Sequence, residues 1–194
     1  MNVGGRVLRL CVFCGSRLGA RPVYAEAARE LGALAARRGL GLVYGGTSIG
    51  LMGQVAEAAL AQGAEVIGVL PTSLVEKEIA HPSLSRLHVV DSLAQRKQIM
   101  FDLSDAFVAL PGGTGTLDEV TEMLTWAQLG IHEKPLGVLN TAGYYDTLLA
   151  FLRTAVREGF VSERHAALIA VESDPARLLD ALLPPAAAGA SGGR

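Results

Sequence analysis

The segment Ala106–Glu119, AFVALPGGTGTLDE, decides how the fold of the chain is interpreted. Its first five residues, Ala106–Leu110, form an apolar run typical of a buried strand, and a helical pattern begins near Thr116. The glycines between them allow the backbone to approach a ligand closely, and the N-terminus of the following helix carries a partial positive charge. The segment therefore predicts a strand–loop–helix site for an anionic group such as a phosphate.

The same glycine-rich turn can also be no more than a tight connection between a strand and a helix. It lacks the Gly-Lys-Ser/Thr of a P-loop and the third glycine of a dinucleotide-binding fingerprint. A second glycine-rich turn, at residues 45–50, follows another apolar run and precedes another helical pattern. Two such turns in one small chain favour a nucleotide or sugar-phosphate site.

Apolar runs alternate with helical patterns along the whole chain. Continuous apolar runs are typical of parallel strands that are buried on both faces. The sequence predicts an α/β fold, a single-domain Rossmann-like, doubly wound parallel sheet of about 6–7 strands with helices on both faces. The predicted strands lie at residues 8–13, 40–44, 65–70, 87–90, 106–110, 135–139 and 168–171.

Length and composition are consistent with one globular domain. The chain has 194 residues, of which 50% are hydrophobic, enough to bury a full core. We expect residues 1–183 to form a single Rossmann-like nucleotide-binding hydrolase domain, and residues 184–194, which are rich in Pro, Ala, Gly and Ser, to form a disordered tail.

Charge and hydropathy exclude other classes of function. The formal net charge of -2 argues against a broad surface for nucleic acid or membranes. No signal-peptide layout and no uncharged apolar stretch long enough to span a bilayer is present in the sequence. We therefore expect a cytoplasmic protein.

Three turns rich in glycine or serine follow predicted strands, namely Gly15-Ser16, Gly45-Gly46 and Gly112–Thr116. In parallel α/β sheets, ligands bind beyond the carboxyl ends of the strands, at the crevice where the strand order reverses. We expect the three turns to converge there on one nucleotide-sized pocket.

Glu119 and the basic pair Arg96-Lys97 are the charged candidates, and each has a structural alternative. A carboxylate beside an anion site is repulsive unless it is aimed at another part of the ligand. Thr116 and Glu119 also have the spacing of a capping box, in which the carboxylate only accepts a backbone N–H. Arg96 and Lys97 could form a solvated helix face, on a helix that a capping box of Ser92 and Gln95 would start.

Cys11 and Cys14 have the C-x-x-C spacing of redox and zinc sites. The two residues between them continue a strand, which separates the two Cα atoms by roughly 10 Å. That distance is too long for an undistorted disulfide. The four histidines show no spacing of metal ligands, so we predict no metal.

Five motifs, in this order, closely resemble the Lonely Guy family over about residues 8–160. The family pattern is Pro-Gly-Gly-x-Gly-Thr-x-x-Glu together with an Arg-Lys pair on an earlier helix, and both parts are intact in this chain. The five motifs are Cys11-Val-Phe-Cys-Gly-Ser16, Tyr44-Gly-Gly46 with Gly50-Leu-Met-Gly53, Arg96-Lys97, Pro111-Gly-Gly-Thr-Gly-Thr-Leu-Asp-Glu119 and Trp126-Ala-Gln-Leu-Gly-Ile-His132.

The resemblance implies a phosphoribohydrolase that cleaves the N-glycosidic bond of cytokinin riboside 5′-monophosphates, of AMP, or of both. The products would be a free adenine-type base and ribose 5-phosphate, without a cofactor. Bacterial members have often been labelled lysine decarboxylases, but that reaction needs pyridoxal phosphate on a lysine. Lys77, Lys97 and Lys134 stand in no recognisable cofactor motif. The alternative function is a nucleotide-binding sensor without catalysis.

The resemblance also assigns roles to residues. It makes Glu119 and Arg96 the catalytic pair and implies a homodimer through the helices around residues 96–101 and 119–129. Where relatives often have Met-His-Glu or Met-His-Gln, this chain has Leu93-Ala94-Gln95, which puts the base preference in question. The expected substrate-binding residues, from the resemblance and from the converging turns, are Glu78, Lys97, Gly112, Gly113, Thr114, Gly115, Thr116, Thr125, Ser16, Gly45, Gly46 and Met100.

Overall fold

The apolar runs of the sequence form a seven-stranded parallel sheet in the computed structural model, which describes residues 2–3, 6–72 and 80–183. The predicted substrate contact Glu78 and the predicted tail at residues 184–194 lie outside the described residues. Within the described part of the chain, no helix is both long and apolar enough to cross a membrane.

The sheet has the strand order β6-β5-β4-β3-β7-β8-β9, with every neighbouring pair parallel. The predicted fold class is therefore confirmed. A small antiparallel hairpin of β1 and β2, which the sequence did not predict, precedes it. The strands are β1 (Asn2–Val3), β2 (Arg6–Val7), β3 (Arg9–Phe13), β4 (Gly41–Tyr44), β5 (Val66–Pro71), β6 (Arg86–Val90), β7 (Ala106–Ala109), β8 (Leu136–Leu139) and β9 (Ile169–Glu172).

Helices cover both faces of the sheet. Alternate residues of β3 show this directly, because Leu10 packs into the core on one face and Cys11 into the core on the other. The helices are α1 (Pro22–Arg37), α2 (Gly50–Leu60), α3 (Leu93–Leu103), α4 (Thr114–Gln128), α5 (Asp146–Arg157), α6 (Glu163–Ala166) and α7 (Pro175–Leu182), with a 3-10 turn at Thr141–Gly143. Helices α1, α2 and α7 lie on the first face, and α3, α4 and α5 on the second.

Helix α3 begins where the sequence predicted. The Ser92 hydroxyl accepts the backbone N–H of Gln95 at 3.1 Å, and the Gln95 side-chain oxygen accepts the N–H of Asp91 at 2.9 Å. These two bonds satisfy backbone donors at the helix start. They fix the register of α3, which carries Arg96 and Lys97.

The strand order reverses between β3 and β7, and the turns that follow these two strands meet beyond their carboxyl ends. The second glycine-rich turn reaches them through Gly50 and Leu51 and not through Gly45-Gly46, so the predicted convergence of all three turns on one pocket is only partly observed. Gly15 donates its N–H to the Pro111 carbonyl at 3.1 Å, and its own carbonyl accepts the N–H of Leu51 at 3.0 Å. Gly50 has φ +61°, and a Cβ there would collide with the backbone of Ser16 and Arg17. Only glycine therefore lets the second turn come so close to the first.

Candidate active site

Two adjoining cavities lie at this switch point. The Glu119 cavity, about 270 Å³, and the Tyr144 cavity, about 360 Å³, share Gly15, Ser16 and Gly113 as a common wall. The Glu119 cavity is lined by Cys14, Gly15, Ser16, Met52, Arg96, Gly113, Thr114, Gly115, Thr116 and Glu119. The Tyr144 cavity is lined by Gly15, Ser16, Arg17, Leu18, Gly19, Tyr24, Leu51, Pro111, Gly112, Gly113 and Tyr144.

The glycine-rich turn forms one wall of the Glu119 cavity at the start of α4. A Cβ on Gly113 or Gly115 would meet no described atom within 4 Å, so packing alone does not demand glycine there. Both positions instead leave open space in front of the first turn of a helix, whose N–H groups have no partner inside the helix. Gly112 differs, because a Cβ there would collide with the Thr116 side chain and crowd the Gly15 backbone.

Glu119 belongs to the cavity wall and not to a helix cap. Helix α4 begins at Thr114 with Gly113 as its N-cap, so Thr116 already lies in the first turn and Glu119 in the second. The capping-box interpretation of Thr116 and Glu119 is therefore wrong. Glycine can occupy the N-cap position, which let the helix start two residues earlier than the sequence pattern indicated.

Glu119 and Arg96 form a buried pair. Their closest atoms, Arg96 Nη1 and Glu119 Oε1, are 3.6 Å apart, and the two side chains are 12% and 11% exposed. Arg96 also donates its Nε hydrogen to the Val69 carbonyl at 3.0 Å, which fixes the guanidinium beside the carboxylate. Burial raises the pKa of Glu119 to about 7, although the Arg96 charge acts in the opposite direction. The carboxyl group can therefore hold or release a proton near neutral pH.

Lys97 lies beside this pair but away from the cavity wall. Its Nζ is 3.0 Å from both Asp118 Oδ2 and Glu122 Oε2 on α4. Burial lowers the pKa of Lys97, but the two carboxylates outweigh that effect and raise it. With Arg96 and Lys97 both largely buried and paired, the solvated-face interpretation of these residues is wrong.

Four further predicted contacts lie off the walls of both cavities, and their contact with substrate stays a prediction. A Cβ on Gly45 would collide with the Arg96 guanidinium and Met52, so this glycine makes room for Arg96. Gly46, with φ +85°, packs against the neighbouring strand β5. Met100 is fully buried in the core, and Thr125 is exposed on α4, where its hydroxyl donates to the Thr121 carbonyl at 2.8 Å.

The cavities also contain residues that the sequence analysis did not select as contacts. Met52 could have been predicted as a cavity residue, because it lies in the Gly50-Leu-Met-Gly53 motif at the start of α2. Cys14 also lines the Glu119 cavity, and both cysteines are free and buried. Burial raises the pKa of the Cys14 thiol well above its ordinary value, so it stays neutral. Nothing in the sequence around Tyr24 and Tyr144 indicates that they line a cavity.

A parallel sheet with a glycine-rich turn at its switch point, and a buried carboxylate–guanidinium pair behind that turn, defines a Rossmann-like nucleotide-binding protein. Comparison with known proteins narrows this class. A family model described as "Possible lysine decarboxylase" matches residues 52–182. The chain belongs to this family, the Lonely Guy family that its motifs resemble.

The curated relatives carry a different name from that description. A probable cytokinin riboside 5′-monophosphate phosphoribohydrolase of Oryza sativa subsp. japonica is 51% identical over 185 residues, which cover 94% of this chain and 82% of the relative. A cytokinin riboside 5′-monophosphate phosphoribohydrolase of Arabidopsis thaliana is 50% identical over 162 residues, covering 84% and 76%. Among solved structures, the molybdenum cofactor carrier protein of Chlamydomonas reinhardtii matches with a TM-score of 0.70 at 26% identity, covering 91% of this chain and 96% of that one.

Proposed function

We propose that this protein hydrolyses the N-glycosidic bond of cytokinin riboside 5′-monophosphates, and of AMP, to release the free adenine-type base and ribose 5-phosphate. One observation carries the proposal: the Glu119 carboxyl and the glycine-rich start of α4 line the same cavity. The relatives named for this reaction, at about half identity over most of the chain, support it.

The 5′-phosphate binds at the start of α4. The N–H groups of the first helical turn and the helix dipole attract a dianion there, and Gly113 and Gly115 leave it space. Glu119 follows the N-cap Gly113 by six positions, about 9 Å along a helix. This separation lets the phosphate and the carboxylate engage opposite ends of one ribose 5-phosphate unit, which weakens their mutual repulsion.

Glu119 acts at C1′ of the ribose. As the bond between C1′ and the base nitrogen breaks, its electron pair leaves with the base and positive charge develops on the sugar. The carboxylate stabilises that charge and accepts a proton from the water that attacks C1′. The water oxygen stays on the sugar, and the proton is passed on to the departing base or to solvent. A pKa of about 7 suits a group that takes and returns a proton near neutrality.

Arg96 holds this carboxylate and borders the cavity. Its Nε is anchored on Val69 and its Nη1 lies beside Glu119, so the guanidinium can donate hydrogen bonds to the ribose hydroxyls of a bound nucleotide. The bound phosphate supplies binding energy that orients C1′ against the carboxylate. Arg96 therefore binds and positions, while Glu119 performs the proton transfer.

The lysines argue against the decarboxylase description of the family. A Schiff base needs a lysine amine that can lose its proton and reach a cofactor. Lys97 is paired with two carboxylates that raise its pKa, and Lys134 donates to the Phe101 carbonyl at 2.6 Å. Lys77 lies outside the described residues. The two lysines that are described thus support the hydrolase proposal.

The proposal includes a homodimer, built on the surface of α3 and the end of α4. Leu93, Leu129 and Ile131 are 57%, 70% and 59% exposed at or beside these helices, and burial of these apolar side chains against a second copy would favour the dimer. Light scattering would test this directly. We expect a dimer for the wild type and a shift towards monomer for Leu129→Asp, whereas a monomeric wild type would contradict it. The expected cytoplasmic location stays a prediction, which cell fractionation would check.

The proposed reaction is tested by the identity of its products. The purified protein is incubated separately with AMP and with N6-isopentenyladenosine monophosphate, and free base and ribose 5-phosphate are quantified by chromatography. We expect equimolar base and ribose 5-phosphate from at least one nucleotide, and the relative rates establish which base is preferred. Binding of both nucleotides without any product would favour the non-catalytic sensor instead.

A further inference from the structure

The glycine-rich turn is held at its backbone carbonyls by two tyrosines that the proposed reaction does not use. Three consecutive backbone carbonyls, those of Leu110, Pro111 and Gly112, each accept a hydrogen bond. The Tyr145 hydroxyl donates to Leu110 at 2.6 Å, the Gly15 N–H donates to Pro111 at 3.1 Å, and the Tyr144 hydroxyl donates to Gly112. The carbonyl side of the turn is therefore fully engaged.

Holding a carbonyl also fixes the direction of the next N–H. In a trans peptide, the C=O of one residue and the N–H of the following residue lie in one plane and point in opposite directions. The bond from Tyr144 to the Gly112 carbonyl thus directs the Gly113 N–H away from Tyr144, and Gly113 lies on the wall that the two cavities share. The Gly15 bond to Pro111 fixes the Gly112 N–H in the same way.

Tyr145 anchors the beginning of the turn. The peptide unit that joins Leu110 to Pro111 has no N–H, so it cannot donate a hydrogen bond to a ligand. The Leu110 carbonyl of this unit accepts a hydrogen bond from the buried Tyr145 hydroxyl, which fixes the start of the turn. Burial raises the pKa of Tyr145 well above its ordinary value, so the phenol keeps the proton it donates.

The segment that carries both tyrosines is itself constrained. The Asn140 side chain accepts the N–H of Tyr145 at 2.8 Å and donates to Asp146 at 2.8 Å. Between Asn140 and the tyrosines, Ala142 has φ 54°, in the left-handed region that side chains other than those of Gly, Asn and Asp seldom occupy. Such strain persists where the surrounding structure enforces it, often to place a functional group.

We propose that Tyr144 and Tyr145 are positioning residues that hold the Leu110–Gly112 carbonyls so that the backbone N–H groups of the turn face the 5′-phosphate. This rests on the proposed function, in which the start of α4 receives that phosphate. Neither tyrosine contacts the reacting bond. Their effect is specific to ligands that carry a phosphate.

The consequence is a selective loss of phosphate affinity on removing either hydroxyl. Without its hydroxyl, Tyr144→Phe leaves the Gly112 peptide free to rotate, and the Gly113 N–H loses its fixed direction. A hydrogen bond of ordinary strength corresponds to about a 5- to 10-fold change in affinity. We expect Tyr144→Phe and Tyr145→Phe each to weaken ribose 5-phosphate binding by that factor and to leave adenine binding within twofold.

Tyr44→Phe is the matched control. The Tyr44 hydroxyl donates to the Thr47 carbonyl at 3.1 Å, which is the same kind of bond in a different turn. Its loss removes a buried tyrosine-to-loop bond without touching the three carbonyls at Leu110–Gly112. A purely structural role for the tyrosines predicts equal effects of Tyr44→Phe and Tyr145→Phe.

Titration calorimetry of the wild type and the three variants with ribose 5-phosphate and with adenine tests the proposal. The expected result is weaker ribose 5-phosphate binding in Tyr144→Phe and Tyr145→Phe, with wild-type affinity in Tyr44→Phe. Equal ribose 5-phosphate affinity in all four proteins, or an equal loss in Tyr44→Phe, would overturn it. The titration needs no turnover, so its result does not depend on the proposed reaction. If the four proteins show the expected affinities but the wild type hydrolyses neither nucleotide, the proposed reaction is rejected and the role of the two tyrosines stands.

Discussion

Replacing Glu119 by Gln should stabilise the fold while it abolishes most of the activity. Burial raises the pKa of this carboxyl from an ordinary 4.5 to about 7. The folded protein then binds the Glu119 proton more tightly than the unfolded chain does. The ionised carboxylate therefore costs stability as the pH rises from 4.5 through 7, and the full cost is reached above pH 7.

The size of the effect follows from that shift. Each pKa unit corresponds to about 1.4 kcal/mol, so a shift from 4.5 to about 7 costs about 3 kcal/mol at pH 8 and only about 1 kcal/mol at pH 5.5. Glutamine has the shape of the protonated acid and carries no charge, so the variant avoids this cost. For a chain of this length, 3 kcal/mol corresponds to a rise in melting temperature of about 6 to 12 °C.

Urea denaturation of the wild type and Glu119→Gln at pH 5.5 and pH 8 measures the effect. We expect the free energy of unfolding of the variant to exceed that of the wild type at both pH values, with a difference that grows by about 2 kcal/mol between them. A variant that is less stable at pH 8, or a difference that does not change with pH, would refute the assignment of Glu119 as a buried, destabilising carboxyl. Asp118→Asn, on the neighbouring exposed residue, is the control and should show no such trend.

Three further predictions concern the two glycine-rich turns and Glu119. Gly115→Ala should stabilise α4 by up to about 1 kcal/mol, because no neighbouring atom opposes the methyl group. The methyl group should also raise KM for the nucleotide about 10-fold or more, because it fills space that the phosphate needs. An unchanged KM would contradict the placement of the phosphate at the start of α4. Gly50→Ala should lower the free energy of unfolding by about 1 to 3 kcal/mol, since φ +61° and the Ser16 backbone both disfavour a side chain there. An unchanged free energy of unfolding in urea denaturation would contradict this. Finally, kcat/KM should rise about 10-fold per pH unit below pH 7 and level off above it, because Glu119 must be ionised to act as the general base. A kcat/KM that does not change from pH 5 to pH 8 would contradict a general base with this pKa.

Much of the fold could be predicted because local patterns agree with the long-range structure. The inner strands β4, β5, β7 and β8 are short apolar runs, since parallel strands covered on both faces need apolar residues on both sides, whereas the edge strands β6 and β9 are partly exposed. Ser92 and Gln95 start α3 through bonds among immediate neighbours, which a sequence pattern can show. The meeting of the turns after β3 and β7 followed from a general rule about parallel sheets and not from any local signal.

The parts of the site that could not be predicted depend on packing across the chain. Gly45 follows a strand just as Gly15 does, but its missing side chain makes room for Arg96 instead of for a ligand. Tyr144 and Tyr145 hold carbonyls more than thirty positions away, and nothing near them in sequence indicates that contact. The charge state of Glu119 likewise depends on its burial, which only the folded structure reveals.

The most direct test of Glu119 acting at C1′ compares kcat of Glu119→Gln and Asp118→Asn on N6-isopentenyladenosine monophosphate. The two neighbours differ in position, because Glu119 lines the cavity while Asp118 is paired with Lys97 at the surface. Loss of a general base predicts a fall in kcat of about 10²- to 10⁴-fold for Glu119→Gln, with Asp118→Asn within about threefold of the wild type. A Glu119→Gln enzyme that turns over at the rate of Asp118→Asn would show that Glu119 is not the general base.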